Sequence, residues 1–548
     1  MMEVKQLVAF WCLLVQVVAA RFPPSISELR EKIRSPASGA RHLTGRDVNP
    51  ADLYPVHTIS VPIDHFHNES KYEPHSNGTF NLRYWFDASN YKPGGPVIVL
   101  AGGETSGTDR LPYLQKGILA QLSQATNGIG VVLEHRYYGE SFPTSDLSTE
   151  NLRFLTTQQA LADTAYFAQH VVFEGLEDQN LTAPNVPYIA YGGSYAGAFV
   201  AFLRVLYPDI FFGAISSSGV TKAIYDYWEY YEPIRQYGPR DCITTTQKFT
   251  HIFDNLLSQS KSAHGNSNLI DEYKDVFGLG NLTYNDDFAS VLATGISGWQ
   301  SRNWDPAVNS PAFSYYCGNI TSNSILYADT AEKESTVRRL IAAGGYEKEA
   351  WYLTNRLLNF IGYVNVTAVA PCARGGQTQD ECFTSHNATF YAQDDITQQW
   401  RSWPYQYCTE WGYLQTGSGV PQDILPLISR SINLEYCSII CRDAFNITTP
   451  SDVDAINKYG GFDITYPRLA FIDGEADPWR PATPHSDKAR PRPNTVERPF
   501  ILIKGAVHHW DENGLFPNET TPDLPPKPVA DTQRAEAEFV KKWLEEWK

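Results

Sequence analysis

The sequence predicts an α/β protein: a mostly parallel, doubly wound sheet whose strand succession is broken by one long helical insertion. Three observations predict it. Six short apolar runs lack the polar alternation of a half-wetted strand, as strands covered on both faces do. Helical patterns separate the early runs, giving strand, helix, strand in repetition. The repetition stops near Gly219 and resumes near Tyr466, and every cysteine beyond Cys12 lies in that interval.

Taken in chain order, Lys5 precedes the apolar run Leu7–Val18, and the small residues Ala19 and Ala20 follow. That pattern reads as a secretory signal peptide over residues 1–20, cut before Arg21, because an apolar run of about a dozen residues is too short for a membrane span. Strands are expected at Pro96–Ala101, Gly130–Glu134, Pro187–Tyr191, Gly213–Ser217, Arg468–Ile472 and Phe500–Lys504. Helices are expected at Leu111–Ala125, Thr157–Phe173 and Tyr195–Leu206. Residues 21–220 then form the first part of the sheet domain, 221–465 an inserted helical cap, and 466–548 the second part. The last stretch, Thr532–Lys548, sets Phe539, Val540, Trp543, Leu544 and Trp547 at helical spacing and reads as a docking helix.

Export is supported by nine Asn-x-Ser/Thr triplets, at Asn68, Asn77, Asn180, Asn281, Asn319, Asn365, Asn387, Asn446 and Asn518. Once Cys12 leaves with the signal, Cys242, Cys317, Cys372, Cys382, Cys408, Cys437 and Cys441 remain. An odd number implies three bridges and one spare thiol, with the pairing open; the Cys and His spacings match no tetrahedral zinc pattern. Lys and Arg number 44 against 61 Asp and Glu, a net charge of -17. Such a surface repels phosphate backbones and excludes nucleic acid as a natural partner. No later run is long enough to cross a bilayer, and no metal or cofactor is called for.

The sharpest chemical signal is Tyr191-Gly192-Gly193-Ser194-Tyr195-Ala196-Gly197 between a strand and an amphipathic helix. A serine on so tight a strand-to-helix turn is lifted above the sheet with its hydroxyl at the helix N-terminus. Ala196 stands where the usual Gly-x-Ser-x-Gly pattern has its second glycine. Such a serine needs an acid and a base in the chain order Ser, acid, His, and the last two strands run into loops that supply them. One carries Asp473, Glu475 and Asp477, the other His508 and His509. Asp477, before a helpful proline and far enough past its strand to reach across, is the preferred acid; spacing does not choose between the histidines. Together these features specify an α/β-hydrolase fold with a large helical, disulfide-containing cap inserted between sheet strands.

Gly-Gly-Ser-Tyr at the elbow, Glu134-His135-Arg136-Tyr137-Tyr138-Gly139-Glu140-Ser141, Asp477-Pro478-Trp479 and His508-His509 together resemble the prolyl carboxypeptidase family of serine peptidases. The resemblance runs from about His65 to the final helix and includes Tyr225-Asp226-Tyr227-Trp228 and Tyr407-Cys408-Thr409-Glu410. It implies Ser194 as nucleophile, Asp477 as acid, His508 as base and His509 as a supporting neighbour. It also implies oxyanion donors at the backbone N–H groups of Tyr195 and Gly103, a proline pocket lined by Trp479, and acid-favouring activity on proline-containing peptides or proteins. Glu104 is assigned to a substrate amine, and Glu134-His135-Arg136 to a structural cluster. Asn513 departs from the family pattern, where some members carry an arginine linked to the second histidine, as does Ala198 where some carry methionine. Homodimerisation, propeptide removal over Arg21 to about Arg46, and the choice among endo-, carboxy- and dipeptidyl cleavage stay open. An esterase or an inactive binding protein on the same fold are the rival readings.

Overall fold

The computed structural model describes residues 49–261 and 268–547; the expected signal peptide and the Arg21–Arg46 segment lie outside them. Eight strands make one sheet: β1 (His57–Pro62), β2 (Thr79–Asp87), β3 (Val97–Ala101), β4 (Ile129–Leu133), β5 (Tyr188–Gly193), β6 (Phe211–Ser217), β9 (Leu469–Gly474) and β10 (Phe500–Ile503). Their order is β1-β2-β4-β3-β5-β6-β9-β10. All pairs from β4 to β10 are parallel, while β1 and β2 add an antiparallel edge. This is the α/β-hydrolase arrangement.

Six expected strands form, each shifted by three residues or fewer, because both sheet faces are covered. Successive residues of β3 feed opposite cores: Val97 and Val99 join one with Phe199 and Phe202, while Ile98 and Leu100 join another with Leu119 and Trp543. The helix Tyr195–Leu206 ends where the pattern places it. The expected helix Leu111–Ala125 is instead two, Leu111–Gln115 and Ile118–Thr126. The break falls at Gly117, where a Cβ would lie 2.5 Å from the Glu512 carbonyl oxygen, so a loop of the site packs into it. The docking helix runs Lys527–Leu544 and presses Trp543 against Gly213 of β6.

Between β6 and β9 the chain is predominantly helical, with β7 (Ile224–Asp226) and β8 (Gly412–Leu414) as a small separate parallel pair. This segment holds the three disulfides, Cys242–Cys317, Cys372–Cys382 and Cys408–Cys441, and the buried free thiol of Cys437. It grips the loops at the sheet's C-terminal edge. Trp299 Nε1 donates to the Ala476 carbonyl at 2.8 Å, Trp304 Nε1 to the Trp510 carbonyl at 2.8 Å, and the Tyr413 hydroxyl to the Val220 carbonyl at 2.9 Å. Glu410 accepts from both the N–H and hydroxyl of Thr157, at 3.0 and 2.9 Å, at the start of the helix Thr157–His170. Asn68, Asn77, Asn180, Asn281, Asn446 and Asn518 are exposed, whereas Asn319, Asn365 and Asn387 are half-buried. Among the described residues no helix is long and apolar enough to cross a membrane.

Candidate active site

Ser194 sits on the turn between β5 and the helix Tyr195–Leu206 with φ 60° and ψ -124°, a conformation that a non-glycine residue adopts only when its surroundings enforce it. The enforcement is crowding. A Cβ on Gly192 would lie 2.2 Å from the Ala196 carbonyl oxygen, and one on Gly197 would lie 2.7 Å from the Ser217 carbonyl oxygen. The close approach of helix to strand therefore falls on Gly197. Ala196, the departure from the usual pattern, is tolerated because its methyl group faces Gly103, which lacks a side chain.

The other two loops meet this turn through backbone bonds. The Ser194 N–H donates to the Ser217 carbonyl at 2.9 Å, and Oγ of the next residue, Ser218, accepts from the His509 N–H at 2.9 Å. The dipeptide at the end of β6 thus ties the elbow to the histidine loop. That loop is tied in turn to the acid loop: Ala476 N–H donates to the Ala506 carbonyl at 2.9 Å, and a Cβ on Gly474 would lie 2.0 Å from the Val507 carbonyl oxygen. In this frame His508 Nδ1 lies 2.8 Å from Asp477 Oδ2, with both residues buried. Asp477 Oδ1 accepts from the Trp479 N–H at 2.9 Å. The rival acids are engaged elsewhere, Asp473 with His485 at 2.6 Å and Glu475 with the Gly505 N–H at 2.9 Å.

His509 is held apart from that pair. Its backbone is left-handed, φ 34°, and its Nδ1 lies 2.9 Å from Glu512 Oε2. Burial disfavours charge on both partners, yet each stabilises the ion of the other: the His509 pKa lies above its ordinary value and that of Glu512 below. The charged partner of the second histidine is therefore Glu512, next to Asn513. It also explains Gly193, where a Cβ would lie 2.1 Å from Glu512 Oε1. Sequence reasoning missed Glu512, although its place three residues after His509 was a usable signal.

Trp479 is 4% exposed and closes one side of the pair, its ring 6.4 Å from that of His508. Tyr227 stacks on it at 5.3 Å, and Tyr230 and Tyr413 meet it edge-on at 5.4 and 5.1 Å. Its indole N–H donates to Gln300 Oε1 at 2.8 Å, the same oxygen that accepts from the Tyr230 hydroxyl. From the sequence, Trp479 and the entry run Tyr225–Trp228 pointed to this aromatic box, while Tyr230, Tyr413 and Gln300 did not stand out.

On the far side of β3, Gly103 is left-handed at φ 69° beside the elbow, while the Gly102 N–H is committed to the Leu133 carbonyl at 2.8 Å. Tyr195, as first residue of its helix, has an N–H with no acceptor inside that helix. Glu104 follows, with Oε2 buried and without a hydrogen-bond partner among the described residues. Of the Glu134-His135-Arg136 cluster, Glu134 pairs with Arg83 at 2.7 Å and Arg136 with Asp163 at 2.6 Å, so both charges serve the fold.

Behind the histidine loop, Asp511, Glu512 and Glu536 form a buried acidic group. Asp511 accepts from the Tyr191 and Ser217 hydroxyls at 2.5 and 2.6 Å. Burial, then the charge of Glu512, pushes Asp511 up to about 6. Glu536 has no partner for either oxygen among the described residues, and burial followed by the charges of Asp511 and Glu512 raises its pKa well above the ordinary carboxylate value. Both groups bind protons more tightly when folded. Their stabilisation is complete below about pH 4, where the unfolded carboxylates also protonate, and is lost as pH rises through 6 and beyond. Glu536→Gln is therefore expected to raise Tm by a few degrees at pH 7.5 and leave it nearly unchanged at pH 4, as read by calorimetry at both values; equal shifts would exclude titration of this group.

A profile of the family described as serine carboxypeptidase S28 matches residues 61–320 and 350–524. The chain is 58% identical over 541 residues to the probable extracellular serine carboxypeptidase of Arthroderma benhamiae, covering 98% of this chain and 74% of that protein. It is 31% identical over 448 residues to the serine protease vicPa of Bipolaris victoriae, covering 79% and 81% of the two chains. With the thymus-specific serine protease of Mus musculus the identity is 24% over 482 residues, covering 84% and 83%.

Proposed function

The chain belongs to the serine carboxypeptidase S28 family, and from that premise we propose that it is an extracellular serine peptidase hydrolysing peptide bonds at proline (Pro-Xaa) through an acyl-enzyme on Ser194. The observation that carries this reading is the buried Asp477–His508 pair, held beside a strained serine turn by the Ser217-Ser218 bridge. With Nδ1 engaged by Asp477, Nε2 is the ring nitrogen left for the serine proton. Ser194 Oγ attacks the substrate carbonyl carbon as His508 takes its proton. The oxyanion forms against the Tyr195 and Gly103 N–H groups. When the C–N bond breaks, His508 gives the proton to the leaving amine, and water then repeats the sequence to release the acid. Asp477 fixes the tautomer and stabilises the imidazolium.

Proline preference is supported by the aromatic box around Trp479. Flat apolar rings suit a pyrrolidine that carries no N–H to satisfy. The unpartnered Glu104 oxygen beside Gly103 suits a substrate amine. The compartment follows the relative whose name is extracellular, in agreement with the signal-like N-terminus. The deciding measurement is mass spectrometry of products from a defined proline-containing peptide with free and blocked termini, beside short p-nitrophenyl esters. Cleavage after proline is expected, and a free amino terminus is expected to help through Glu104. Hydrolysis of esters alone would overturn the peptidase reading.

A further inference from the structure

We propose that His135 is a positioning residue: through the Tyr195 side chain it fixes the backbone N–H that receives the oxyanion, and ties that donor to Gln406 of the inserted segment. The inference rests on the reading of Tyr195 as an oxyanion donor. His135 follows directly on β4 and Glu134, and its own backbone neighbour Arg136 is immobilised by Asp163 and by the carbonyls of Ile63 and Phe154 at 3.0 and 2.9 Å. His135 Nδ1 lies 2.7 Å from the Arg136 carbonyl oxygen, which only accepts, so Nδ1 carries the ring proton. Nε2, 2.9 Å from the Tyr195 hydroxyl, is then the acceptor.

The rest of the chain of bonds has one consistent direction. The Tyr195 hydroxyl donates to His135 and accepts from the Gln406 amide at 3.0 Å, while Gln406 Oε1 accepts from the Tyr138 hydroxyl. His135, Tyr195, Tyr138 and Gln406 are all buried. The edges of Trp403 and Trp411, both on the inserted segment, meet the Tyr195 ring at 5.6 and 5.1 Å. A backbone N–H on the first residue of a helix is otherwise held only by the turn before it. Here its own side chain is clamped at the far end by β4 on one side and the insertion on the other.

The clamp has an acid limit. The charged groups facing the histidine are Asp163 and Arg136, while Glu410 and Glu104 face it across Tyr195. Burial outweighs the favourable carboxylate of Asp163 and pushes His135 down to about 4. Below that pH the imidazolium presents a donor at Nε2 to a hydroxyl that already accepts from Gln406, and the chain of bonds loses its single direction.

The test uses the full-length enzyme and four variants, with kcat and KM measured separately on a prolyl peptide. His135→Leu removes the acceptor, and Tyr195→Phe removes one oxygen and keeps the backbone N–H. Each is expected to lower kcat by ~10- to 100-fold with KM within about threefold, in line with the cost of misplacing a catalytic donor. A peptide aldehyde, whose hemiacetal carries the oxyanion, is expected to weaken by a similar factor, while product inhibition stays unchanged. His135→Gln restores an acceptor that does not titrate. It is expected to recover kcat to within about fivefold of wild type, a rescue that lost packing alone would not give. Wild-type kcat in both His135→Leu and Tyr195→Phe, with Ser194→Ala inactive, overturns the positioning role alone. Full activity in Ser194→Ala overturns the underlying reading and the inference with it. Should His135→Leu fail to fold, Tyr195→Phe carries the test.

Discussion

Ser194→Ala and His508→Ala are each expected to lower kcat by ~10⁴- to 10⁶-fold, with the fold intact by circular dichroism and thermal melting. Losses of this size arise because the two groups act as a unit. An unassisted hydroxyl is a poor nucleophile, and an imidazole without the hydroxyl has nothing to deprotonate. His509→Ala is expected to cost about tenfold at most. Its ring belongs to Glu512, 2.9 Å away, and its loss leaves only Arg110 and Tyr113 to stabilise that buried carboxylate behind Gly193. The stability penalty of His509→Ala should therefore exceed its catalytic one. Steady-state kinetics with a fluorophosphonate label on all three variants decides the matter; an inactive, unlabelled His509→Ala beside an active His508→Ala would reverse the assignment of the pair.

What was legible in the sequence was what local pattern encodes. β3 to β6 and β9 are buried almost throughout on both faces, so their residues are apolar without alternation and identify themselves; β10, the outer strand with Leu502 exposed, was legible only from its unbroken apolar run Phe500–Ile503. The elbow was legible because crowding at Gly192 and Gly197 permits almost nothing but glycine. β1 and β2 were missed: they are the antiparallel edge, half-wetted, and their alternation of polar and apolar residues is too short to stand out. The split at Gly117 was hidden because its cause, the Glu512 carbonyl, arrives from nearly 400 residues away. The disulfide pairing was equally closed, since the three bridges span 75, 10 and 33 residues and spacing favours no one set. The same holds for the clamp on Tyr195. Glu134-His135-Arg136 reads as a charge cluster, and only the fold shows its middle member turned away from the ion pairs toward the elbow helix.

Asp477→Asn is expected to cost ~10⁴-fold in kcat at neutral pH while leaving substrate binding nearly intact. The amide preserves the shape of the side chain, and one of its faces can still meet the Trp479 N–H. The difference lies at His508 Nδ1. A carboxylate accepts there and holds the proton on Nδ1, leaving Nε2 free to receive the serine proton. An amide presenting its NH₂ group selects the opposite tautomer, and the imidazolium formed during attack loses its counter-charge in a site where both partners are buried. Asp473→Asn supplies the internal comparison: the same chemical change, four residues earlier at the end of β9, beside a histidine of its own at 2.6 Å. If burial and a histidine contact were enough to define the acid, the two variants would behave alike. The geometry predicts that they separate by about three orders of magnitude, because His485 stacks on Phe500 rather than facing the elbow. A large loss in Asp473→Asn with little in Asp477→Asn would move the acid to the end of β9 and break the proton path from that loop to Ser194.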